Sequence, residues 1–135
     1  MSELPMPPQV LDLLRRPNPA VMATLAADGR PVTVATWYLL EDDGIILLGL
    51  DAGRARLKHM HADPRVSLTA LSEASWYTQV SVQGRVLSIV DDEGLRDIDR
   101  LSQHYGGRPY ANRESQRFSA RIVVENWQGW GATRT

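Results

Sequence analysis

Residues 20–50, AVMATLAADGRPVTVATWYLLEDDGIILLGL, restrict the fold more than any other stretch of the chain. They hold three apolar runs rich in Val, Ile, Leu and Thr, separated by Ala27-Asp28-Gly29-Arg30 and Asp42-Asp43-Gly44. Branched side chains favour extended backbone because they pack well on a pleated surface. Asp-Gly supplies the positive φ that tight turns between antiparallel strands need. The segment therefore reads as a three-stranded antiparallel meander.

The flanking sequence extends the pattern. MSELPMPPQVLDLLRRPNP reads as a loose start, residues 1–7, and one short helix. Pro8 suits a first helical position, Val10, Leu11 and Leu14 form an apolar stripe, and Pro17 and Pro19 stop the helix. Helix formers recur from residue 53 to 62, until Asp63-Pro64 ends them. RVSLTAL resumes as a strand, residues 72–75 form a loop, and WYTQVSVQGRVLSIV is a long strand in which Gly84 marks a bulge. DDEGLRDIDRLSQHY is an amphipathic helix with Leu95, Ile98, Leu101 and Tyr105 on one stripe, stopped by Gly106-Gly107. A polar loop, GGRPYANRESQ, leads to a last strand, FSARIVVENW, and residues 127–135 form a tail. Six strands joined mostly by hairpins predict a mainly β domain with flanking helices, folded as a closed or nearly closed antiparallel barrel.

At 135 residues the chain suits a single domain, 1–135. Its 15 basic and 16 acidic side chains nearly cancel, which argues against a general nucleic-acid binder. The absence of cysteine excludes disulfides, thiolate catalysis and cysteine-based metal sites. No apolar run is long enough to span a bilayer and no signal peptide opens the chain, so a cytoplasmic protein with no membrane partner is expected.

Against that charge balance, GRARLKHMHADPRVSL places Arg54, Arg56 and Lys58 on alternate positions at the start of a predicted helix. A helix N-terminus already carries partial positive charge and unpaired N–H groups, so each cation there costs roughly 0.3–1 kcal/mol when exposed. A bound anion would reverse that sign, and N–H groups with guanidinium forks suit a phosphate. Solvated surface charges, with Asp51 as cap and counter-ion, would explain the same pattern. On a helix Arg54 and Lys58 share a face and Arg56 points elsewhere; in an extended segment all three would share one.

Other features have simpler readings. His59 and His61 lie two apart, point to different sides of a helix and read as surface histidines, so no metal site is expected. Asp91-Asp92-Glu93 sits where a helix begins, where acids are favoured. On a regular strand Trp37 faces opposite to Thr36 and Tyr38, so only one of these faces would meet a ligand. Trp127 and Trp130 suit either interface packing or a lid over a cleft.

Together, ATLAADGRP, the VATWYL strand, the basic cluster before DPRV, VQGRV and IDRLSQHYGG resemble the flavin and deazaflavin oxidoreductases with the pyridoxamine 5'-phosphate oxidase-like FMN-binding split barrel. The likeness runs from about residue 8 to 130 and is nearest to short proteins that bind the deazaflavin coenzyme F420. It implies a six-stranded antiparallel split β-barrel, a homodimer, and cofactor sites at the dimer interface. It also implies that Arg54, Ala55 and Arg56 hold the cofactor phosphate with Lys58 nearby, that Ala35, Thr36 and Trp37 lie beside the tricyclic ring, that Gly49 lies near the cofactor chain, and that Trp76 and Tyr77 reach the cofactor from the partner subunit. The implied function is coenzyme F420-dependent hydride transfer to a small electron-poor organic acceptor. The alternatives are an FMN-binding oxidoreductase, a non-catalytic F420 carrier, and a split barrel that has lost its cofactor.

Two departures stand out. His59-Met60 replaces an asparagine-leucine of the family, and His61-Ala62 replaces a further basic pair, which removes one contact to a long anionic tail. The chain ends at GWGATRT without the basic motif that longer vitamin B6 oxidases use for substrate phosphate, so B6 chemistry is not expected. Because such cofactors carry the reactive chemistry, no catalytic triad is expected. Tyr38, Tyr77, His104 and bulk water are the candidate proton donors.

Overall fold

The computed structural model describes residues 2–134, so Met1 and Thr135 lie outside the description. Eight strands, β1 (Ser2–Glu3), β2 (Ala20–Leu25), β3 (Pro31–Thr36), β4 (Leu39–Leu40), β5 (Ile46–Asp51), β6 (Arg65–Leu71), β7 (Gln79–Asp91) and β8 (Arg117–Trp130), form one sheet. Helices α1 (Pro8–Arg15), α2 (Ala55–Ala62) and α3 (Arg96–Gly106) flank it. The strand order is β3-β2-β6-β7-β8-β5-β4, with β1 added to β8, and every pairing is antiparallel. The six long strands are those expected; β1 and β4 are two-residue additions.

The Asp-Gly hairpins form as read. Gly29 at φ +83° and Gly44 at φ +85° occupy the left-handed region that a side chain disfavours. Asp28 accepts the Arg30 N–H and Asp43 accepts the Ile45 N–H, each at 3.0 Å, closing the turns locally.

The expected meander does not form. β2 pairs with β3, but β5 pairs with β4 and β8 instead of β3. The ladder stops at Thr36 because Tyr38 turns into the core, fully buried, and its N–H points to Tyr105 Oη at 3.4 Å instead of a strand carbonyl. The two sheet edges, β3 and β4, are thus joined in the chain by Trp37 and Tyr38 alone. This is the split of the barrel.

Both ends of the chain are more ordered than expected. Within residues 1–7, Ser2 pairs with Trp127 and Glu3 with Asn126, and the Trp127 indole N–H donates to Glu3 O at 3.1 Å. Residues 127–130, expected in the tail, extend β8 because Gln79–Val82 of β7 continue to pair with them. The bulge at Gly84 is present as a register shift, and a Cβ there would lie 2.2 Å from Val123 O.

Val10, Leu13 and Leu14 of α1 join Met22, Tyr38, Leu48, Leu50, Leu68, Val82, Ile122 and Trp127 in the barrel core. A second cluster, Leu47 with Ile98 and Leu101, binds α3 to the outside of β5. Burial on both faces explains why β5 reads as a continuous apolar run. Gly49, between Leu47 and Asp51 on that outer face, lets α3 approach: a Cβ there would sit 3.0 Å from Leu101 and 3.2 Å from Ile98.

Candidate functional site

α3 is fixed before it reaches the site. Asp92 accepts the N–H groups of Asp97 and Ile98, each at 2.9 Å, so one member of the acidic run is a cap as expected. The Asp97 carboxylate then takes the Ser119 hydroxyl at 2.7 Å, Arg121 at 3.2 Å and Arg100 at 3.3 Å, and Arg100 also pairs with Glu41. Burial disfavours the charge on Asp97, but these donors outweigh it and hold the carboxyl below its ordinary range.

Between α3 and the ends of β2, β3 and β5 opens a cleft of about 660 Å³. That volume is ordinary for a small-molecule site. One wall is aromatic: Trp37 stacks on Tyr105 with centroids 5.3 Å apart and planes 10° apart, and meets the Tyr110 edge at 6.2 Å. The Tyr105 hydroxyl donates to Asn18 O at 2.8 Å, and burial pushes its pKa up to about 12. It therefore keeps its proton at neutral pH.

The other wall is cationic. Arg56, half-buried, donates to Thr36 Oγ1 at 2.8 Å and contacts Met22 Sδ at 3.2 Å. Arg117, only 7 % exposed, lies across the sheet from Asp51, with 4.0 Å between its Nη1 and the carboxylate. Its guanidinium stands 4.8 Å from the Tyr110 ring centroid, and its Nε is buried with no hydrogen-bond partner. Burial first, then Arg54 and Arg117, lower the pKa of Arg56. Two guanidiniums on one cleft lining, with a single carboxylate 4.0 Å from Arg117, form a ready anion site.

Of the residues expected at a cofactor, Ala35, Thr36, Trp37, Gly49 and Arg56 all line this cleft. Arg54 is the N-cap of α2, and Ala55 and Lys58 lie on its exposed surface; none of the three lines the cleft of the single chain. The helical geometry separates Arg56 from Arg54 and Lys58, as the spacing requires. Trp76 and Tyr77 stack on each other at 4.3 Å on an exposed loop and do not line the cleft either.

The strict alternation expected around Trp37 fails, because the strand breaks there and Thr36 and Trp37 both line the cleft while Tyr38 enters the core. Trp127 packs in the core and Trp130 is exposed beneath the Arg134 guanidinium at 4.6 Å. His59 is not a surface histidine: it is half-buried with Nδ1 2.9 Å from Thr24 Oγ1. Among the described residues no cluster of His, Cys, Asp or Glu could hold a metal ion, and no helix is long and apolar enough to cross a membrane.

Sequence reading missed Arg117, Tyr110 and the site role of Tyr105. Tyr105 was visible as part of an apolar stripe, but Arg117 depends on the register of β5 with β8.

Solved structures share this architecture. A structure named F420 reductase is 24 % identical, covering 90 % of this chain and 98 % of its own, with a TM-score of 0.81. A conserved hypothetical protein from Mycobacterium tuberculosis is 24 % identical over 97 % of this chain and 88 % of its own, TM-score 0.75. A protein of unknown function from Agrobacterium tumefaciens is 21 % identical over 96 % of this chain and 59 % of its own, TM-score 0.74. No curated protein matches the chain. The family described as pyridoxamine 5'-phosphate oxidase matches residues 6–131, nearly the whole chain, and with its split barrel the protein belongs to that family.

Proposed function

We propose that this protein is a coenzyme F420-dependent oxidoreductase, acting as a cytoplasmic homodimer on a small electron-poor organic acceptor. The observation that carries the reading is the presence of two guanidiniums, half-buried Arg56 and buried Arg117, with a stacked aromatic wall in one cleft. A flat ring joined to a phosphate needs both features. The buried, unpartnered Arg117 Nε is a donor that an anionic oxygen would satisfy, so the residues present fit such a group. A solved structure of the same fold is named F420 reductase.

A bound reduced deazaflavin supplies the hydride. The chain's own part is to hold, orient and keep dry. Arg56 and Arg117 grip the phosphate by charge-assisted bonds. The Trp37–Tyr105 stack offers the ring one apolar wall, and Gly49 keeps the space beside α3 clear of side-chain bulk. In the dimer, the exposed Trp76 and Tyr77 of each subunit reach the other's cleft, and the start of α2 contributes the charges of Arg54 and Lys58 and the backbone N–H of Ala55. Tyr105 hydrogen-bonds Asn18 O and holds its proton tightly, and Tyr38 is walled into the core, which leaves Tyr77, His104 and water to supply a proton to the acceptor.

The test is a fluorescence titration with oxidised F420 and with FMN, followed by turnover on quinone and nitroaromatic acceptors. F420 is expected to bind more tightly and to support turnover. Arg56→Ala is expected to weaken binding by about 1.5–3 kcal/mol, and Arg54→Ala by less than about 1 kcal/mol, the value of an exposed charge. Tighter FMN binding would reassign the cofactor, and tight F420 binding without turnover would make the protein a carrier. Unchanged affinity in Arg56→Ala would move the site elsewhere.

A further inference from the structure

The cleft lining carries three charged side chains: Arg56, Arg117 and Glu73, the only acidic one among them, which stands on the loop after β6. Glu73 also lines an adjoining groove of about 470 Å³, shared through Pro17 and continuing past Asn18 to Arg16. It has no ion-pair partner among the described residues.

The backbone at Glu73 is anchored. Asn18, 4 % exposed, accepts the Glu73 N–H on its side-chain oxygen at 3.1 Å. Its amide nitrogen donates to Leu13 O at 2.9 Å, and its carbonyl receives the Tyr105 hydroxyl at 2.8 Å. Through its side-chain amide and its backbone carbonyl, Asn18 thus ties the backbone of this lip to α1 and to the aromatic wall, while the Glu73 side chain is exposed.

Resting on the hydride-transfer reading, we propose that Glu73 determines acceptor specificity, favouring electron-poor aromatics with a cationic substituent and opposing those with a carboxylate. The reason is electrostatic. Once Arg56 and Arg117 are paired with the phosphate and anionic tail of the cofactor, the unpaired charge left on the cleft lining is that of Glu73. A carboxylate at the rim of an apolar cleft raises the local concentration of cations and repels anions. Arg16 lines only the outer groove and forms no ion pair with Glu73.

Three nitroaromatics of similar size test this: 4-nitrobenzyltrimethylammonium, 4-nitrobenzyl alcohol and 4-nitrobenzoate. With reduced F420, kcat/KM is expected to rank cation, neutral, anion. Glu73→Gln is expected to lower the cation's value roughly fivefold, leave the neutral one within about twofold, and raise the anion's, as for one partly screened unit charge. Glu73→Lys, also at the exposed lip, should invert the order. The same probes are titrated by quenching of tryptophan fluorescence in phosphate buffer, which reports binding whether or not turnover occurs. An identical ranking in wild type and both variants, in turnover or in quenching where turnover is absent, overturns the proposal. Charge-dependent quenching without turnover on either reduced cofactor would instead overturn the hydride-transfer reading and leave the cation-selective lip standing.

Discussion

Arg117→Met separates binding from folding in one substitution. Methionine keeps much of the unbranched stem and removes the charge. In the folded chain the Arg117 guanidinium is 7 % exposed, has a carboxylate no nearer than 4.0 Å, and leaves Nε without a partner. Its compensation is a contact with Tyr110 at 4.8 Å, worth about 0.5–2 kcal/mol. Desolvating a guanidinium costs several kcal/mol, so its removal is neutral or favourable for folding. It also relieves Arg56, whose charge is disfavoured by burial, by Arg54 and by Arg117 itself. The melting temperature of the cofactor-free protein is therefore expected to stay level or rise, by roughly 2–6 °C for about 1 kcal/mol at this chain length. Cofactor affinity should move the other way. Losing one charge-assisted bond to phosphate costs about 1.5–3 kcal/mol, or roughly 10- to 150-fold in Kd. Thermal unfolding without ligand and fluorescence titration with oxidised F420 read the two effects. A fall in Tm of more than about 6 °C, or an unchanged Kd, would show that Arg117 is a structural strut and would refute the anion-site argument.

Gly84→Ala is expected to cost at least about 1–3 kcal/mol, because its Cβ would meet the Val123 carbonyl at 2.2 Å in the bulge; a Tm equal to wild type would contradict this packing. Asp97 has a folded pKa below its ordinary 3.8, so its contribution is present above that value and is lost as pH falls through the folded pKa. Asp97→Asn should therefore lower Tm at pH 7 and flatten its acid dependence, and an acid slope as steep as wild type would dismiss the α3 latch. Tyr38→Phe removes only a 3.4 Å bond to Arg16 O and should cost about 0.5–1.5 kcal/mol while leaving kcat unchanged; a kcat fall of tenfold or more would restore Tyr38 as a proton donor.

Local chemistry was legible where it acts locally. Asp28-Gly29 and Asp43-Gly44 announce their turns because a carboxylate and a positive-φ residue are contiguous. Gly84, the α3 stripe and the stop at Gly107 likewise need only their neighbours. Arg56 and Thr36 entered the expected site through a family likeness and met in the structure through a 2.8 Å bond. Arg117 gave no such signal. Its place comes from pairing with Asp51, far away in the chain, and no residue near it encodes that register. The meander failed for a related reason: three strand-like runs fix extended backbone, but partners are chosen by where side chains such as Tyr38 find a core. The register of β7 with β8, which carried β8 on to Trp130, was equally hidden.

The break at Trp37 and Tyr38 has a mechanical consequence. Elsewhere neighbouring strands are stitched by rungs of N–H···O=C bonds, and prising them apart would sever several together. At this seam no such rung joins the rims of the sheet, which are held by the chain itself and by the Tyr38 side chain seated in the core. The rims cannot part company, yet a small rocking of one half against the other breaks no rung. Trp37 sits on that seam and also lines the cleft. A change at Trp37 therefore reaches the cleft and the seam together, while the rest of the barrel stays laced.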